Sequence, residues 1–259
     1  NMKITFLGVM GSLPGGLSDL GKNTTSILIE ENGNTIIIDA GTGILNYFET
    51  TNSTEHHILF THYHLDHVIG LPFVNKLFDK FNSFFLYGPK FNDFEASKLL
   101  PSLLNDPFLP FTIEDIKANI NNQILLENGT LNINGFIISS YVVDHPGKSM
   151  VFSIQCNGEK ISVLTDLPNN SKHDPELIEF CSNSDIIYID SYYLEEEILN
   201  SSQKDFGHSS IESAISIKGQ SNSKTLVLGH HRYNRQKSEL SKYESENVII
   251  AEDNITLKV

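Results

Sequence analysis

At 259 residues with a formal charge of −14, histidines counted neutral, the chain can bury a sizeable core, and its acidity argues against a long nucleic-acid footprint but not against one small anion held by metal ions. Two cysteines, Cys156 and Cys181, exclude a disulfide framework; no apolar run reaches membrane-spanning length, and Met2-Lys3-Ile4-Thr5 opens a strand, so a cytoplasmic protein is expected. No Pro-, Ser- or charge-rich linker divides residues 2–259, which are expected to form a single domain, with Asn1 an expression remnant.

The first predicted strand, residues 3–7, runs into the glycine-rich loop Gly11-Ser12-Leu13-Pro14-Gly15-Gly16, a plain connection or a phosphate cradle without a Walker pattern. Strands at 27–30 and 35–38 flank the hairpin turn Glu31-Asn32-Gly33-Asn34. Asp39 ends the second of them, placed to orient a ligand histidine or to cap a loop.

The apolar run Ile58-Leu59-Phe60 then delivers Thr61-His62-Tyr63-His64-Leu65-Asp66-His67. Period-two geometry at a strand end turns His62 and His64 to one side, and Asp66 and His67 fall on the turn into a helix. Imidazoles and a carboxylate packed this densely would repel and desolvate one another without a compensating cation. The donor set suits zinc, manganese or iron and leaves room for two ions.

Residues 72–126 are rich in phenylalanine, with helices expected at 73–81 and 93–104 and a strand at 84–87; most of the rings are expected in the core. The loop Pro107-Phe108-Leu109-Pro110-Phe111 is a candidate cover for the site or a subunit contact, which makes a homodimer an expected partner. Strands follow at 131–133, 136–143, 150–155 and 160–164, turning at Asn134-Gly135 and Asn157-Gly158. His145 and Asp166 each lie just past one of these strands. The last third alternates helices at 174–182, 194–200 and 209–217 with strands at 185–190 and 225–228. His208 starts the helix that Ser209 or Ser210 can cap. His56, His57 and His173 have no partner in the pattern and read as structural, and only one of His230 and His231 can face a common centre.

His62-x-His64-x-Asp66-His67 resembles the signature of the metallo-β-lactamase superfamily, and Asp39-Ala40-Gly41-Thr42-Gly43, His145-Pro146-Gly147, Thr165-Asp166 and Gly229-His230-His231 resemble its other motifs in order. Gly8-Val9-Met10-Gly11-Ser12-Leu13-Pro14 is similar to the opening of one hydrolase subgroup, with Met10 where a basic residue is common. The resemblance implies an α+β four-layer αββα sandwich with a binuclear metal site, zinc first and manganese or iron next. It implies that His62, His64 and His145 hold one ion, that Asp66, His67 and His230 hold the other, and that Asp166 bridges them. It also selects His230 over His231.

Gly207-His208-Ser209-Ser210 is similar to the His-Ser-Thr element of the phosphodiesterase branch that includes ribonuclease Z, and Asp190 matches an acidic residue of that branch. The catalytic set implied is therefore Asp66, His208 and Asp190, with Arg232 or Arg235 placed to contact a phosphate. A single tight hairpin joins His145 to Asp166, which leaves no room for the tRNA-gripping arm of ribonuclease Z. The expected activity is hydrolysis of a small-molecule phosphodiester such as a cyclic nucleotide, with hydroxide held between two ions as nucleophile, no long nucleic acid and no membrane partner. The rivals are a lactone, thioester or β-lactam hydrolase of the same fold and a non-catalytic metal-dependent sensor.

Overall fold

A computed structural model describes residues 1–200 and 206–259. Two seven-stranded sheets stack face to face. The first runs Thr256–Lys258, Lys3–Gly8, Ser26–Glu31, Asn34–Ile38, Glu55–Leu59, Ser83–Pro89, Asn119–Leu125, and the second runs Val248–Ile250, Thr225–Gly229, Ile186–Asp190, Glu159–Leu164, Ser149–Cys156, Phe136–Val143, Thr130–Ile133. Alternation along each strand decides the packing. Ile4, Phe6, Ile27, Ile29, Ile36 and Ile38 of the first sheet join Phe136, Phe152, Ile161, Val163, Ile187 and Ile189 of the second in one core. The intervening Leu28, Ile37, Ile58, Phe84 and Leu86 turn outward beneath Ile44, Phe48, Leu99 and Leu100 of the outer helices Ile44–Phe48 and Ala96–Leu103. Each such side chain contributes roughly 1.5–3 kcal/mol when fully buried, so a one-residue slip of any inner strand would exchange core for solvent.

Pro175–Phe180 and Ile211–Ser221 lie against the second sheet, which completes the four layers. Asp174 caps the first helix by accepting from Glu176 N and Leu177 N, and Ser210 caps the second by accepting from Ser213 N. In the middle of each sheet the strands are parallel, Asn34–Ile38 with Glu55–Leu59 and Glu159–Leu164 with Ile186–Asp190 and Thr225–Gly229. Their carboxyl ends therefore open on the same side of each sheet, the place where mixed α/β folds put their ligands.

Three expectations are corrected. Residues 73–81 form no α-helix but two 3₁₀ turns, Leu71–Phe73 and Asn75–Phe78. Beside Pro72, the buried residues there are Leu71, Val74 and Leu77, and their spacing of three matches the tighter helix. The helix expected from 93 begins only at Ala96, because Phe91 and Phe94 pair with each other across left-handed backbone at Asn92 and Asp93. The phenylalanines of this stretch are less deeply placed than expected: Phe84 and Phe91 are buried and Phe85, Phe94 and Phe111 pack half-buried against the cores, but Phe73, Phe78, Phe81 and Phe108 are exposed. The polar edge strand Asn119–Leu125 escapes a pattern search, because packing at an edge tolerates what a central strand does not.

Candidate metal centre

His62 and His64 leave the carboxyl end of Glu55–Leu59, and a single 3₁₀ turn, Leu65–His67, rather than a longer helix, swings Asp66 and His67 back toward them. From the second sheet come His145 after Phe136–Val143, Asp166 after Glu159–Leu164 and His230 after Thr225–Gly229. Two groups form within 4.8 Å ligand-atom spacings: His62, His64, His145 and Asp166, and beside it Asp66, His67 and His230. Asp166 lies between them, with Oδ1 3.7 Å from His62 Nε2, 3.5 Å from His145 Nε2 and 3.5 Å from His230 Nε2, and Oδ2 2.9 Å from His67 Nε2. Asp66 Oδ2 lies 3.4 Å from His67 Nε2 and 3.7 Å from His230 Nε2.

The far side of four of the five rings is tied down, exposed His64 being the exception. Nδ1 of His62 meets Thr61 Oγ1 at 3.0 Å, Nδ1 of His67 meets Asp39 Oδ2 at 2.7 Å, Nδ1 of His145 meets Gly207 O at 2.9 Å and Nδ1 of His230 meets Thr25 Oγ1 at 2.8 Å. These contacts fix ring orientation and aim Nε2 inward. Buried Nε2 of His62, His67 and His230 then has no hydrogen-bond partner, an arrangement that costs about 1–3 kcal/mol per atom unless something else accepts the lone pair. Divalent metal fits this donor set and these orphaned atoms.

Electrostatics agree. Burial, reinforced by His67, holds the His62 ring well below its ordinary pKa and thus neutral, the form that ligates. Burial also opposes charge on His67, but the carboxylates of Asp166, Asp66 and Asp39 outweigh it and raise that ring. Burial works against an ionised Asp166 too, yet His230, His67 and His62 hold its carboxyl well below the usual range. Three carboxylates drawing on these rings make a cavity short of positive charge.

Backbone strain marks the same places. Asp39, Asp166 and His230 all have left-handed backbone, with φ of 61°, 51° and 52°. Gly11 has to be glycine, since a Cβ there would come within 2.6 Å of the His230 ring. At Gly207, φ is 74° and a Cβ would meet His145 Nδ1 at 2.5 Å.

The superfamily is legible in other proteins as well. Residues 20–80 match the model of the metallo-β-lactamase superfamily. Ribonuclease Z of Archaeoglobus fulgidus is 24% identical over 99% of this chain and 97% of its own length. Two solved structures share the fold: a diphosphatase from the PhnP family, with a TM-score of 0.75 at 16% identity over 100% of this chain and 98% of that one, and the short form of human tRNase Z, with a TM-score of 0.72 at 19% identity over 99% of each chain. The chain is a hydrolase with the metallo-β-lactamase fold. It is metal-dependent and similar to ribonuclease Z.

Within this metallo-β-lactamase fold, His208 stands beside the centre. Its Nδ1 lies 2.7 Å from Asp190 Oδ2 and 4.0 Å from Asp166 Oδ1. Burial disfavours charge on that ring, but Asp190 dominates and raises its pKa to about 9. Asp190 is fully buried and also accepts from Leu167 N and Tyr192 N, so it positions His208 and reaches no open space. His231 points away, its Nε2 3.0 Å from Ala251 O, and burial holds it neutral with a pKa of about 4. His56 pairs with Asn82 and His57 with Tyr87 and Glu55, all remote from the centre. His173 is exposed on the wall of a neighbouring 660 Å³ cavity.

Two sequence expectations change here. Arg235 is not a phosphate contact, because it is buried against Glu197, Glu239 and the Tyr192 carbonyl. The glycine-rich loop is more than a connection: Ser12 N donates to Asp66 Oδ2 at 2.8 Å, and Ser12 Oγ meets Tyr192 OH at 3.1 Å. Thr25, Thr61 and Tyr192 were missed as well, and no spacing rule would have found them, since each acts through contacts set by the fold.

Proposed function

We propose that this protein hydrolyses a small phosphodiester, such as a cyclic nucleotide, at a binuclear centre held by His62, His64 and His145 on one side and Asp66, His67 and His230 on the other, with Asp166 between. When bound, two divalent ions polarise a phosphoryl oxygen and lower the pKa of water from about 15.7 to about 7. Zinc is the first candidate because the donors are mostly imidazole, with manganese and iron next. Thr61, Asp39, Gly207 and Thr25 keep four of the rings aimed inward. Asp66, held by Ser12 N, is placed to accept a proton from the attacking water.

The observation that carries the phosphate ester reading is His208. Asp190 already occupies its Nδ1, although Asp166, His208 and His230 also converge, so we assign the ring to the substrate and not to a metal. A histidine fixed this way can stabilise charge on a phosphoryl oxygen or protonate a leaving alkoxide. The small-substrate reading is supported by the two-residue turn Asn157–Gly158 in the hairpin between His145 and Asp166, and by the charge of −14. Full-length similarity to ribonuclease Z favours RNA cleavage as the second reading.

The test is elemental analysis together with a screen of bis(p-nitrophenyl) phosphate, cyclic nucleotides, a precursor tRNA, a lactone and a thioester. Two metal equivalents with turnover of a small phosphodiester is the expected result. Turnover of only the lactone or thioester would overturn the assignment of His208, and turnover of only the tRNA would replace the first reading with the second.

A further inference from the structure

A 400 Å³ cavity opens on the centre and is lined by the polar side chains His64, Asp66, Asp166 and His208 and by the aromatic rings Tyr192, Tyr193 and Phe206. The polar lining is explained by the metals and the phosphoryl group. The aromatic lining is not. Phe206 is 55% exposed and Tyr193 only half-buried, so neither is placed by core packing. A volume of this size suits a nucleoside-scale group.

The platform is built rigidly. The Tyr192 ring stacks on His208 with centroids 4.6 Å apart and planes 16° apart, and its edge meets Tyr193 at 4.9 Å. Buried Arg235 donates to the Tyr192 carbonyl at 3.1 Å and to Glu197. Tyr193 N donates to Ser209 O at 3.1 Å, and its carbonyl accepts from Ile211 N at 3.0 Å. With Tyr192 stacked on His208 and only 8% exposed, the ring surfaces left for a ligand are those of Tyr193 and Phe206. A Tyr193 ring on hydrogen-bonded backbone, with exposed Phe206 lining the same cavity beside the reaction centre, offers the faces that a planar heteroaromatic ring binds by stacking.

We propose that Tyr193 and Phe206 form a nucleobase subsite, so that the phosphodiester accepted here is that of a nucleotide. This rests on the phosphodiester reading and narrows its substrate class. A hydroxyl on the Tyr193 ring would give the polar ring atoms of a base, which a plain aryl group lacks, a hydrogen-bonding group to meet.

Calorimetric titration of the metal-loaded protein with AMP and with ribose 5-phosphate tests the subsite without turnover. AMP should bind about tenfold more tightly, the worth of one stacked base. In Tyr193→Leu and in Phe206→Leu the ratio should fall toward one, while Tyr193→Phe, which keeps the ring, should retain most of it. Exposed Phe206 makes its variant foldable, and melting curves with metal content verify both. A ratio near one in the wild type, or a tenfold ratio surviving in both leucine variants, overturns the proposal. A short RNA as a third titrant distinguishes a free nucleotide, bound as tightly as AMP, from a chain end, bound more tightly. If the substrate screen fails while the AMP preference holds, the phosphodiester reading falls and the subsite stands; the reverse pattern removes the subsite alone.

Discussion

The two banks of the metal cleft are assembled in opposite ways. On the first-sheet bank, His62, His64, Asp66 and His67 come from one turn after one strand, and Thr61 from that same stretch braces one of them. On the second-sheet bank, His145, Asp166, Asp190 and His230 each come from a different strand end, and the braces are distant in sequence, 62 residues away for His145 and 205 for His230. A local bank survives small shifts between sheets; a distributed bank exists only while every strand keeps its register.

Breaking the second-bank residue that lies between the two ligand groups should have the largest effect. Asp166→Asn is expected to bring metal content below one equivalent and turnover down about a thousandfold or more, given the several kcal/mol such a site supplies. Elemental analysis beside steady-state kinetics decides it; two equivalents retained in the variant would show that the carboxylate bridges nothing.

On the distributed bank alone, His208→Ala should lower phosphodiester turnover by about 100- to 10,000-fold while leaving metal content intact. Asp190→Asn should do less, mostly in kcat, because it acts through the ring it holds. Activity equal to wild type in His208→Ala would remove the reason for assigning phosphate esters.

Asp39→Asn probes the local bank. It accepts from Thr61 N and Thr61 Oγ1 and holds His67, and losing such a partner costs roughly 10- to 100-fold in metal affinity. Competition with a chromogenic chelator measures this. A loss from Asp39→Asn no greater than that from Thr25→Val, which loosens His230 on the other bank, would mean that the banks do not differ in their bracing.

The smallest effect lies outside the cleft, in the first sheet. Burial lowers the pKa of His56 from its ordinary value of 6.5, so the ring is neutral when folded and takes up a proton when unfolded. Its contribution is complete above that value and is lost as the pH falls through the window beneath it. The stability gap between wild type and His56→Gln, read from urea midpoints, should therefore narrow between pH 7 and pH 5.5; a gap that stays constant would rule this out.

The same contrast explains what was legible. His62, His64, Asp66 and His67 announce themselves by density, and the largely apolar runs 27–30 and 35–38 predict strands but not which residues face inward, since Leu28 and Ile37 are as apolar as their neighbours. His145, Asp166 and His230 are ordinary residues locally and become visible only through motif order. Phe73 and Phe81 mislead because hydrophobicity was read without the three-residue spacing of Leu71, Val74 and Leu77 that decides the turn. The hydroxyls of Thr25 and Ser12 leave no trace in sequence, since what they touch is hundreds of residues or a sheet away.

Asp39, Asp166 and His230 carry left-handed backbone that glycine would adopt without the roughly 1–2 kcal/mol that handedness costs another residue. Under selection for heat tolerance alone, with no demand for turnover, these are places where change is rewarded. A laboratory lineage evolved that way would shed its ion-holding corners while its aliphatic interior stayed intact, which makes those three backbone positions a ledger of how strongly activity has been retained.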